Sequence, residues 1–446
     1  LASIEIIFDS RAIFLSTEAT KGVFNQMSTT EHRANIGAPS KTEPTQTHAA
    51  PASASRALKL LQKISYGQLE LTTPDGQVLT FGRDTNVIAV LEIHDWRVLS
   101  EVMQSGDIAF AEGYIDKRWS TSNLTDLLHL FVVNRDQLNA VIYGSWWGSL
   151  LYRIKHFLNR NSKSGSAKNI HAHYDLGNDF YQLWLDETMN YSSASFEGDL
   201  HGDLSAAQNA KVRRALLPLD LKENQRLLEI GCGWGALAEI ASDEFGVQVL
   251  GITLSQEQLS FAQNRLLNQG LNGEAQLRLQ DYRDLPAQYE NKPFDAIASI
   301  EMFEAVGMAY WDSYFNVLHG CLKVGGKACV QSISIRDDLF EQYKNSSDFI
   351  QQYVFPGGML PSKAIFEKLA MKHGFKVVSR FSFGKDYAET LRRWRVRFLE
   401  QEQQVLALGF DARFIRLWSF YLTYCEIAFD SGNTDVSQWV LQRLEV

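Results

Sequence analysis

The segment LEIGCGWGAL at residues 228–237 decides the predicted fold, because an apolar strand, a three-glycine turn and the start of a helix follow one another there. Glycines allow a tight turn and close approach of a ligand, and the first turn of the helix offers unpaired N–H groups. The spacing is GxGxG rather than the GxGxxG of dinucleotide-binding proteins. Glu229 lies two positions before the first glycine, where a carboxylate suits a cationic ligand. The segment predicts a site for S-adenosylmethionine; an ordinary tight turn is the alternative.

Composition limits the classes of function. The chain has 446 residues, of which 45% are hydrophobic and 12% aromatic, enough for more than one large core. A formal net charge of −9 argues against general nucleic-acid binding. The four cysteines have neither CxxC spacing nor the density of a disulfide framework, so we expect a reducing cytoplasm and no metal site. We expect no transmembrane span and no secretory signal, since apolar runs are short.

Four regions are predicted along the chain. Residues 1–55 end in a tract rich in proline, alanine, serine and threonine and are predicted to be a disordered extension, in which Met27 is a candidate natural start. Residues 56–135 combine short strands with a helix near 96–104 and are predicted to form a small α+β domain. Residues 136–170 are a predicted helical connector. Residues 171–446 are the predicted catalytic domain.

Strand and helix patterns alternate in the catalytic region and predict a doubly wound, parallel α/β sheet of the Rossmann-like type. Together with the S-adenosylmethionine site predicted above, this sheet indicates a class I methyltransferase domain. The five predicted strands are 226–230, 247–253, 275–280, 294–300 and 327–333.

The ends of the second and third strands carry candidate cofactor contacts. The second ends at Thr253, Ser255 and Gln258, where most methyltransferases place an acid for the ribose hydroxyls. The third is followed by Asp281 and Tyr282, which can hydrogen-bond and stack on an adenine ring. Core packing of Tyr282 is an equal alternative.

Seven segments together resemble the cyclopropane-fatty-acyl-phospholipid synthases and the related mycolic-acid cyclopropane synthases. They follow the order of that family: HYDLGNDFYQLWLDETMNYSSASFE at 173–197, LLEIGCGWGALA at 227–238, GITLSQEQ at 251–258, QDYRDL at 280–285, SIEMFEAVG at 299–307, QQYVFPGGMLPS at 351–362 and YLTYCEIAF at 421–429. SGDIAFAEGYIDKRW at 105–119 is similar to the small N-terminal domain of bacterial members. The resemblance implies transfer of a methylene group from S-adenosylmethionine to the cis double bond of an unsaturated phospholipid acyl chain, giving a cyclopropane.

The cofactor-binding residues combine positions from the pattern and positions implied by the resemblance. The predicted set is Tyr191, Ser192, Glu229, Gly231, Gly233, Gly235, Thr253, Leu254, Ser255, Gln258, Asp281, Tyr282 and Ile300.

The chemistry requires more than a methyl donor. A cis double bond is a weak nucleophile, so it must be held close to the methyl group in a dry site. Methyl transfer leaves a carbocation, and ring closure then needs a base that removes a proton from the new methyl group. The resemblance implies a bound bicarbonate as that base, held by Ser193, Glu304, Gln331, the backbone of Ile333, and Tyr353.

Two of these residues depart from the family pattern and leave the product open. Ser193 stands where cysteine is common, and Gln331 where histidine is common. A shifted base allows a methylene or, with a reductant, a methyl-branched product instead of the ring. A lipid-binding protein without turnover is the alternative from another functional class.

Three candidates have structural interpretations as well. Glu304 can also be a carboxylate that stabilises a helix N-terminus, although its context favours a functional role. Tyr353 lies in an apolar stretch typical of a core. Cys425 matches a cysteine position sometimes named as active in the family, but a cysteine in an aromatic helix is usually a small buried hydrophobe.

The segment NAVIYGSWWGSLLYRIKHFLNR at 139–160 is typical of a helix that lies at a membrane interface. Its basic residues and those that follow it are Arg153, Lys155, Arg160, Lys163 and Lys168. We expect a cytoplasmic enzyme that binds the inner face of the membrane and its unsaturated acyl chains. A connector helix packed on the catalytic domain is the alternative, and homodimer formation is left open.

Overall fold

The computed structural model describes residues 51–84, 86–142 and 176–445. Residues 50–446 form one compact unit. Most of the predicted disordered extension and of the predicted interfacial segment, with its two tryptophans and five basic residues, lie outside the described residues. The boundary predicted at residue 55 falls inside a helix, Ala52–Leu61 (α1).

The N-terminal region is α+β, as predicted. Its sheet has the order β2-β1-β3-β4. The strands are Gln68–Thr72 (β1), Val78–Gly82 (β2), Ile88–Ile93 (β3) and Trp119–Ser120 (β4), and the helices after α1 are Arg97–Ile115 (α2), Leu124–Val133 (α3) and Arg135–Ile142 (α4). The helix expected near 96–104 is longer than predicted and bends at Gly106, where φ is 61°.

The catalytic region contains a seven-stranded sheet of order β10-β11-β9-β8-β5-β6-β7. Its strands are Arg226–Ile230 (β5), Gln248–Thr253 (β6), Ala275–Leu279 (β7), Phe294–Ile300 (β8), Leu322–Ile335 (β9), Phe375–Ser382 (β10) and Thr434–Arg443 (β11). The five predicted strands are confirmed, and β10 and β11 are additional. β11 runs antiparallel to both of its neighbours, whereas the other adjacent pairs are parallel.

Helices surround this sheet and connect its strands. They are Asn178–Gln182 (α5), Leu204–Leu216 (α6), Ala236–Phe245 (α7), Gln256–Asn268 (α8), Leu285–Tyr289 (α9), Trp311–Cys321 (α10), Asp337–Lys344 (α11), Phe349–Tyr353 (α12), Lys363–Lys372 (α13), Gly384–Glu400 (α14), Glu402–Ala407 (α15) and Ala412–Asp430 (α16).

The sheet is buried on both faces. Leu227 of β5 packs in a cluster with residues of α6, α7 and α8, whereas its neighbour Leu228 packs in a second cluster with residues of α10 and α13. Successive side chains of a strand point to opposite faces, so this division shows helices on both sides. The doubly wound α/β class is therefore confirmed.

The N-terminal region shares its core with the catalytic region. Leu91 of β3 and Leu127 of α3 belong to the same buried cluster as Trp394 of α14 and Trp418 of α16. Arg416 of α16 also donates a hydrogen bond of 2.6 Å to the Tyr114 carbonyl. Helices from both parts of the chain therefore enclose the same space.

The topology places the site at the carboxyl ends of β5 and β8. β5 lies between β6 and β8, and the chain winds away from β5 in both directions. In open α/β sheets a ligand crevice forms where the strand order reverses in this way. The glycine turn follows β5, and the segment SIEMFEAVG begins within β8, so both predicted parts of the site lie there.

Candidate functional site

The three glycines after β5 have different roles. All have left-handed backbone angles, with φ of 88° at Gly231, 50° at Gly233 and 87° at Gly235. A Cβ atom added to Gly233 would meet no atom within 4 Å, whereas one added to Gly235 would lie 2.9 Å from the Ala262 Cβ on α8. Gly233 therefore borders open space that a ligand can enter, and Gly235 allows α7 and α8 to pack closely.

Glu229 lies buried at the base of this turn. Its Oε2 has no hydrogen-bond partner among the described residues. Burial raises the pKa of Glu229 well above its usual range, while the Lys211 ammonium and the backbone N–H of Ala238 act in the opposite direction. An unpaired buried carboxylate oxygen beside an open backbone cradle fits a ligand that carries positive charge. These residues therefore fit S-adenosylmethionine.

The side chains after β6 are arranged mainly by bonds to one another. The Thr253 hydroxyl donates to Gln258 Oε1 at 3.0 Å. The Ser255 hydroxyl accepts from the Gln258 backbone N–H at 3.3 Å and caps α8. Leu254 is half-buried beside them. The structure brings these predicted cofactor residues together at one strand end, and it places no acid among the four.

Asp281 and Tyr282 follow β7, as predicted, but both also contact the protein. The Asp281 carboxylate pairs with Arg283, with Nε and Oδ1 2.8 Å apart. The Tyr282 ring packs edge-on against Tyr314 at a centroid distance of 5.9 Å. Half-buried Ile300 ends β8. The arrangement is compatible with adenine contact and equally with the packing interpretation of Tyr282.

Tyr191 and Ser192 contact buried side chains of the interior. The Tyr191 hydroxyl lies 2.7 Å from the Tyr421 hydroxyl, and its ring packs on Trp394 at 5.5 Å. The Ser192 hydroxyl accepts a hydrogen bond of 2.5 Å from the Lys211 ammonium. Lys211 is fully buried, and burial lowers the pKa of its ammonium to about 8.

A carboxylate that sequence reasoning did not select, Glu301, bonds to two of the predicted catalytic residues, Ser193 and Gln331. Its Oε1 accepts hydrogen bonds from the backbone N–H of Ser193 at 2.9 Å and from Gln331 Nε2 at 2.7 Å. Its Oε2 accepts from the Tyr387 hydroxyl at 2.6 Å. Gln438 on β11 donates to Gln331 Oε1 at 3.0 Å, which turns the Gln331 amide nitrogen towards Glu301.

The backbone of Glu301 is strained. Its φ is 49°, in the left-handed region that costs a non-glycine residue about 1–2 kcal/mol. Such strain is found mainly at functional sites. An acid directly after the fourth predicted strand was the visible signal for this residue. Its backbone angle and its three partners, which come from distant parts of the chain, could not be read from the sequence.

Glu304 and Ile333 form a second contact beside Glu301. The backbone N–H of Ile333 donates to Glu304 Oε1. Burial, followed by the negative charge of Glu301, raises the pKa of Glu304 to about 8. Glu304 lies in a short 3-10 turn, Phe303–Val306, rather than at the start of an α-helix. The structure thus holds two neighbouring carboxyl groups whose pKa values are both raised.

The predicted bicarbonate does not fit these residues. The backbone N–H of Ser193 and the amide of Gln331 are bonded to Glu301, and the backbone N–H of Ile333 is bonded to Glu304. The donors expected to hold the anion are therefore already paired with protein carboxylates. A further anion would also lie beside two carboxyl groups, where like charge opposes its binding.

Tyr353 and Cys425 are placed differently from Ser193 and Gln331. The Tyr353 hydroxyl donates to Glu112 of α2, and its ring stacks on Phe349 at 5.5 Å. Cys425 lies on α16 in the wall of the cavity described next, and burial raises the pKa of its thiol far above the neutral range. A protonated, half-buried thiol packed among aromatic side chains favours the packing interpretation of Cys425.

A cavity of about 370 Å³ opens beside Glu301 and Glu304. Its lining is mainly apolar and comes from both parts of the chain, including Leu99, Leu128 and Phe131 from the N-terminal helices and Phe420, Tyr421 and Phe429 from α16. A mainly apolar space with two neighbouring carboxyl groups in its wall suits an apolar chain that reacts at one point.

Comparison with known proteins assigns the family. The sequence profile described as mycolic acid cyclopropane synthetase matches residues 161–439. The chain belongs to this family. It is 34% identical over 402 residues to tuberculostearic acid methyltransferase UfaA1 of Mycobacterium tuberculosis, covering 88% of this chain and 92% of that one. It is 35% identical over 343 residues to cyclopropane-fatty-acyl-phospholipid synthase of Escherichia coli, covering 77% and 85%.

The fold agrees with this assignment to the synthetase family. The crystal structure of mycolic acid cyclopropane synthase CmaA1 complexed with SAH and CTAB matches with a TM-score of 0.57 and 32% identity, covering 62% of this chain and 98% of that one. The chain is therefore a class I methyltransferase that uses S-adenosylmethionine. In the described part of the chain, no helix is both long and apolar enough to span a bilayer.

Proposed function

We propose that this enzyme adds a one-carbon unit from S-adenosylmethionine to the cis double bond of an unsaturated phospholipid acyl chain and closes it to a cyclopropane. One observation carries the proposal: Glu301 and Glu304 line the mainly apolar cavity, beside the carboxyl ends of β5 and β8 where the cofactor residues lie. An acyl chain in this cavity would present its double bond between the cofactor and two carboxyl groups.

The chain's own residues orient the reactants and exclude water. S-Adenosylmethionine supplies an electrophilic methyl group. The glycine turn and Glu229 hold the cofactor side of the site, and the Tyr191 ring, packed on Trp394, lines the cavity. The apolar walls keep the double bond in a dry, fixed position, which is the main requirement for a weak nucleophile.

A second product is also supported. Ser193 and Gln331 differ from the residues common in cyclopropane synthases, and one similar protein is named tuberculostearic acid methyltransferase. A methylene-branched acyl chain results if a hydride first shifts from the methyl-bearing carbon to the neighbouring cationic carbon. The methyl group then loses a proton, and the released electron pair forms a carbon–carbon double bond. A methyl branch needs an added reductant, so a methylene product is the second candidate for the purified enzyme.

The decisive experiment supplies purified enzyme with methyl-labelled cofactor and unsaturated phospholipid vesicles. Mass spectrometry measures incorporation into the acyl chain, and proton NMR distinguishes ring hydrogens from methylene hydrogens. Ring signals support the proposal, and methylene signals support the second candidate. Absence of incorporation from every unsaturated lipid offered would refute both and favour a lipid-binding protein without turnover.

A matched pair of variants tests the cavity itself. Ala428 on α16 lines the cavity, whereas Ala407 on α15 is exposed. Ala428→Trp should fill the acyl space and reduce lipid methylation at least tenfold with unchanged affinity for S-adenosylhomocysteine, while Ala407→Trp should behave as wild type. Full activity of Ala428→Trp would place the acyl chain elsewhere.

We further propose that the enzyme meets its lipid at an anionic membrane surface through the segment 139–168. Support comes from the paired tryptophans and the five basic residues of that segment. The cytoplasmic location at the inner face of the membrane follows from the same proposal.

A further inference from the structure

We propose that Glu301 is the catalytic base, so that a carboxylate of the chain itself replaces a bound anion. The inference rests on the proposed function, because it concerns the proton that must leave after methyl transfer. Glu301 lines the cavity and directly follows Ile300 at the end of β8, so its carboxylate lies between the cofactor residues and the acyl space.

The position of the carboxylate is fixed from three sides. Ser193 and Gln331 bond to one oxygen, and Tyr387 bonds to the other. These are the donors that would hold a small oxyanion if the side chain at residue 301 were absent. The left-handed backbone at this position favours glycine, yet it carries a carboxylate. The acidic group at residue 301 is therefore present together with local backbone strain.

The carboxylate retains capacity to accept a proton. An ionised carboxylate has about four acceptor sites, and the three hydrogen bonds from described residues leave one for a group in the cavity. Tyr387 stays a donor, because burial and the adjacent Glu301 charge raise the pKa of its hydroxyl well above the usual range.

The neighbouring groups divide the charge between the two carboxyl groups. Glu304, whose pKa is raised to about 8, is mainly protonated at neutral pH and reduces repulsion of an ionised Glu301. Burial raises the pKa of Glu301, whereas the buried Lys211 ammonium favours the charged form of Glu301 and acts in the opposite direction. Pairs of carboxyl groups with separated pKa values are a common way to assign acid and base roles.

The proton transfer balances without another reactant. After methyl transfer, the acyl chain carries a carbocation next to the new methyl group. The Glu301 carboxylate takes one proton from that methyl group, and the released C–H electron pair forms the new carbon–carbon bond. The products are a neutral lipid chain and a protonated Glu301, which returns its proton to solvent before the next turnover.

Three substitutions at residue 301 test the role. Glu301→Gln keeps the shape and removes the base, so product formation should fall by roughly 10²–10⁴-fold. Glu301→Gly relieves the backbone strain and frees the three donors for a small anion. Its product formation should be similarly low in bicarbonate-free buffer and should recover at least tenfold with added sodium bicarbonate. Glu301→Asp should keep partial activity without added anion.

The wild type must first form labelled lipid product, and all variants must bind S-adenosylhomocysteine with near-wild-type affinity. Wild-type activity that does not depend on bicarbonate supports the inference, as does bicarbonate rescue confined to Glu301→Gly. If wild-type enzyme requires bicarbonate, or if Glu301→Gln forms product at the wild-type rate, another group takes the proton. Failure of the wild type to form lipid product would instead refute the proposed function.

Discussion

The contrast between two glycines of one turn gives a sharp test of the cofactor cradle. Gly233→Ala and Gly235→Ala each place a Cβ on a left-handed backbone, which costs about 1–2 kcal/mol of stability. Only at Gly235 does the new atom also meet a neighbour, because it would lie 2.9 Å from the Ala262 Cβ. Overpacking of this kind costs a further 1–3 kcal/mol or so. We expect Gly235→Ala to lose about 2–5 kcal/mol of unfolding free energy, and Gly233→Ala about 1–2 kcal/mol.

Among folded molecules, Gly233→Ala should reduce cofactor affinity more than Gly235→Ala does. The methyl group of Gly233→Ala points into the open space through which a ligand approaches the backbone. Affinity for S-adenosylhomocysteine should therefore fall at least tenfold, which corresponds to about 1.4 kcal/mol. Denaturant unfolding measures the stability of both variants, and calorimetric titration measures their affinity. Wild-type affinity in folded Gly233→Ala would refute the cradle, and equal stability of the two variants would refute the packing role of Gly235.

Three other predictions follow from the structure and the sequence. Trp394→Ala should cost about 3–5 kcal/mol of unfolding free energy, because the fully buried ring packs against Trp184 and Tyr191. Denaturant unfolding measures this loss, and a loss below about 1 kcal/mol would contradict the prediction. The pKa of Asp107 is raised to about 7 by burial and by Asp348, so the stability that protonated Asp107 contributes is present below about pH 4 and lost as pH rises through 7. Asp107→Asn should therefore gain stability relative to wild type between about pH 4 and 7. A difference in unfolding free energy that stays constant over this pH range, measured with denaturant, would exclude this. Neutralising Arg153, Lys155, Arg160, Lys163 and Lys168 should weaken co-sedimentation with anionic vesicles, since each basic group contributes on the order of 1 kcal/mol; unchanged, salt-independent binding would assign the segment to a connector.

Most of the parallel part of the sheet was predictable because β5, β6 and β8 are short, mainly apolar runs followed by a turn or helix signal, whereas β7 and β9 also carry polar residues. β10 and β11 escaped prediction because FKVVSRFS and TDVSQWVLQR mix charged and polar residues with apolar ones. Their pairing partners are distant in the chain, and that tertiary context decides their conformation. The glycine turn was visible for the opposite reason, since its signal is entirely local.

The candidate catalytic residues were partly predictable from the sequence. The family segments pointed to Ser193, Gln331 and Glu304, which the structure places around or beside one carboxylate. They did not select Glu301, because an acid after a strand is common and its importance depends on partners from α14 and β9. The Tyr353 contact with Glu112 was also beyond reach, since it joins segments 241 positions apart.

The position of β11 has a consequence for how the protein is made. This strand is the last described one in chain order, yet it lies between β9 and β10 in the sheet. During synthesis the two flanking strands leave the ribosome first and cannot complete their pairing until β11 inserts between them. Gln438, which orients the Gln331 amide, arrives with that strand. Ordering of the catalytic carboxylate is therefore a late event in folding, and a nascent chain that lacks β11 exposes two unpaired strand edges to aggregation.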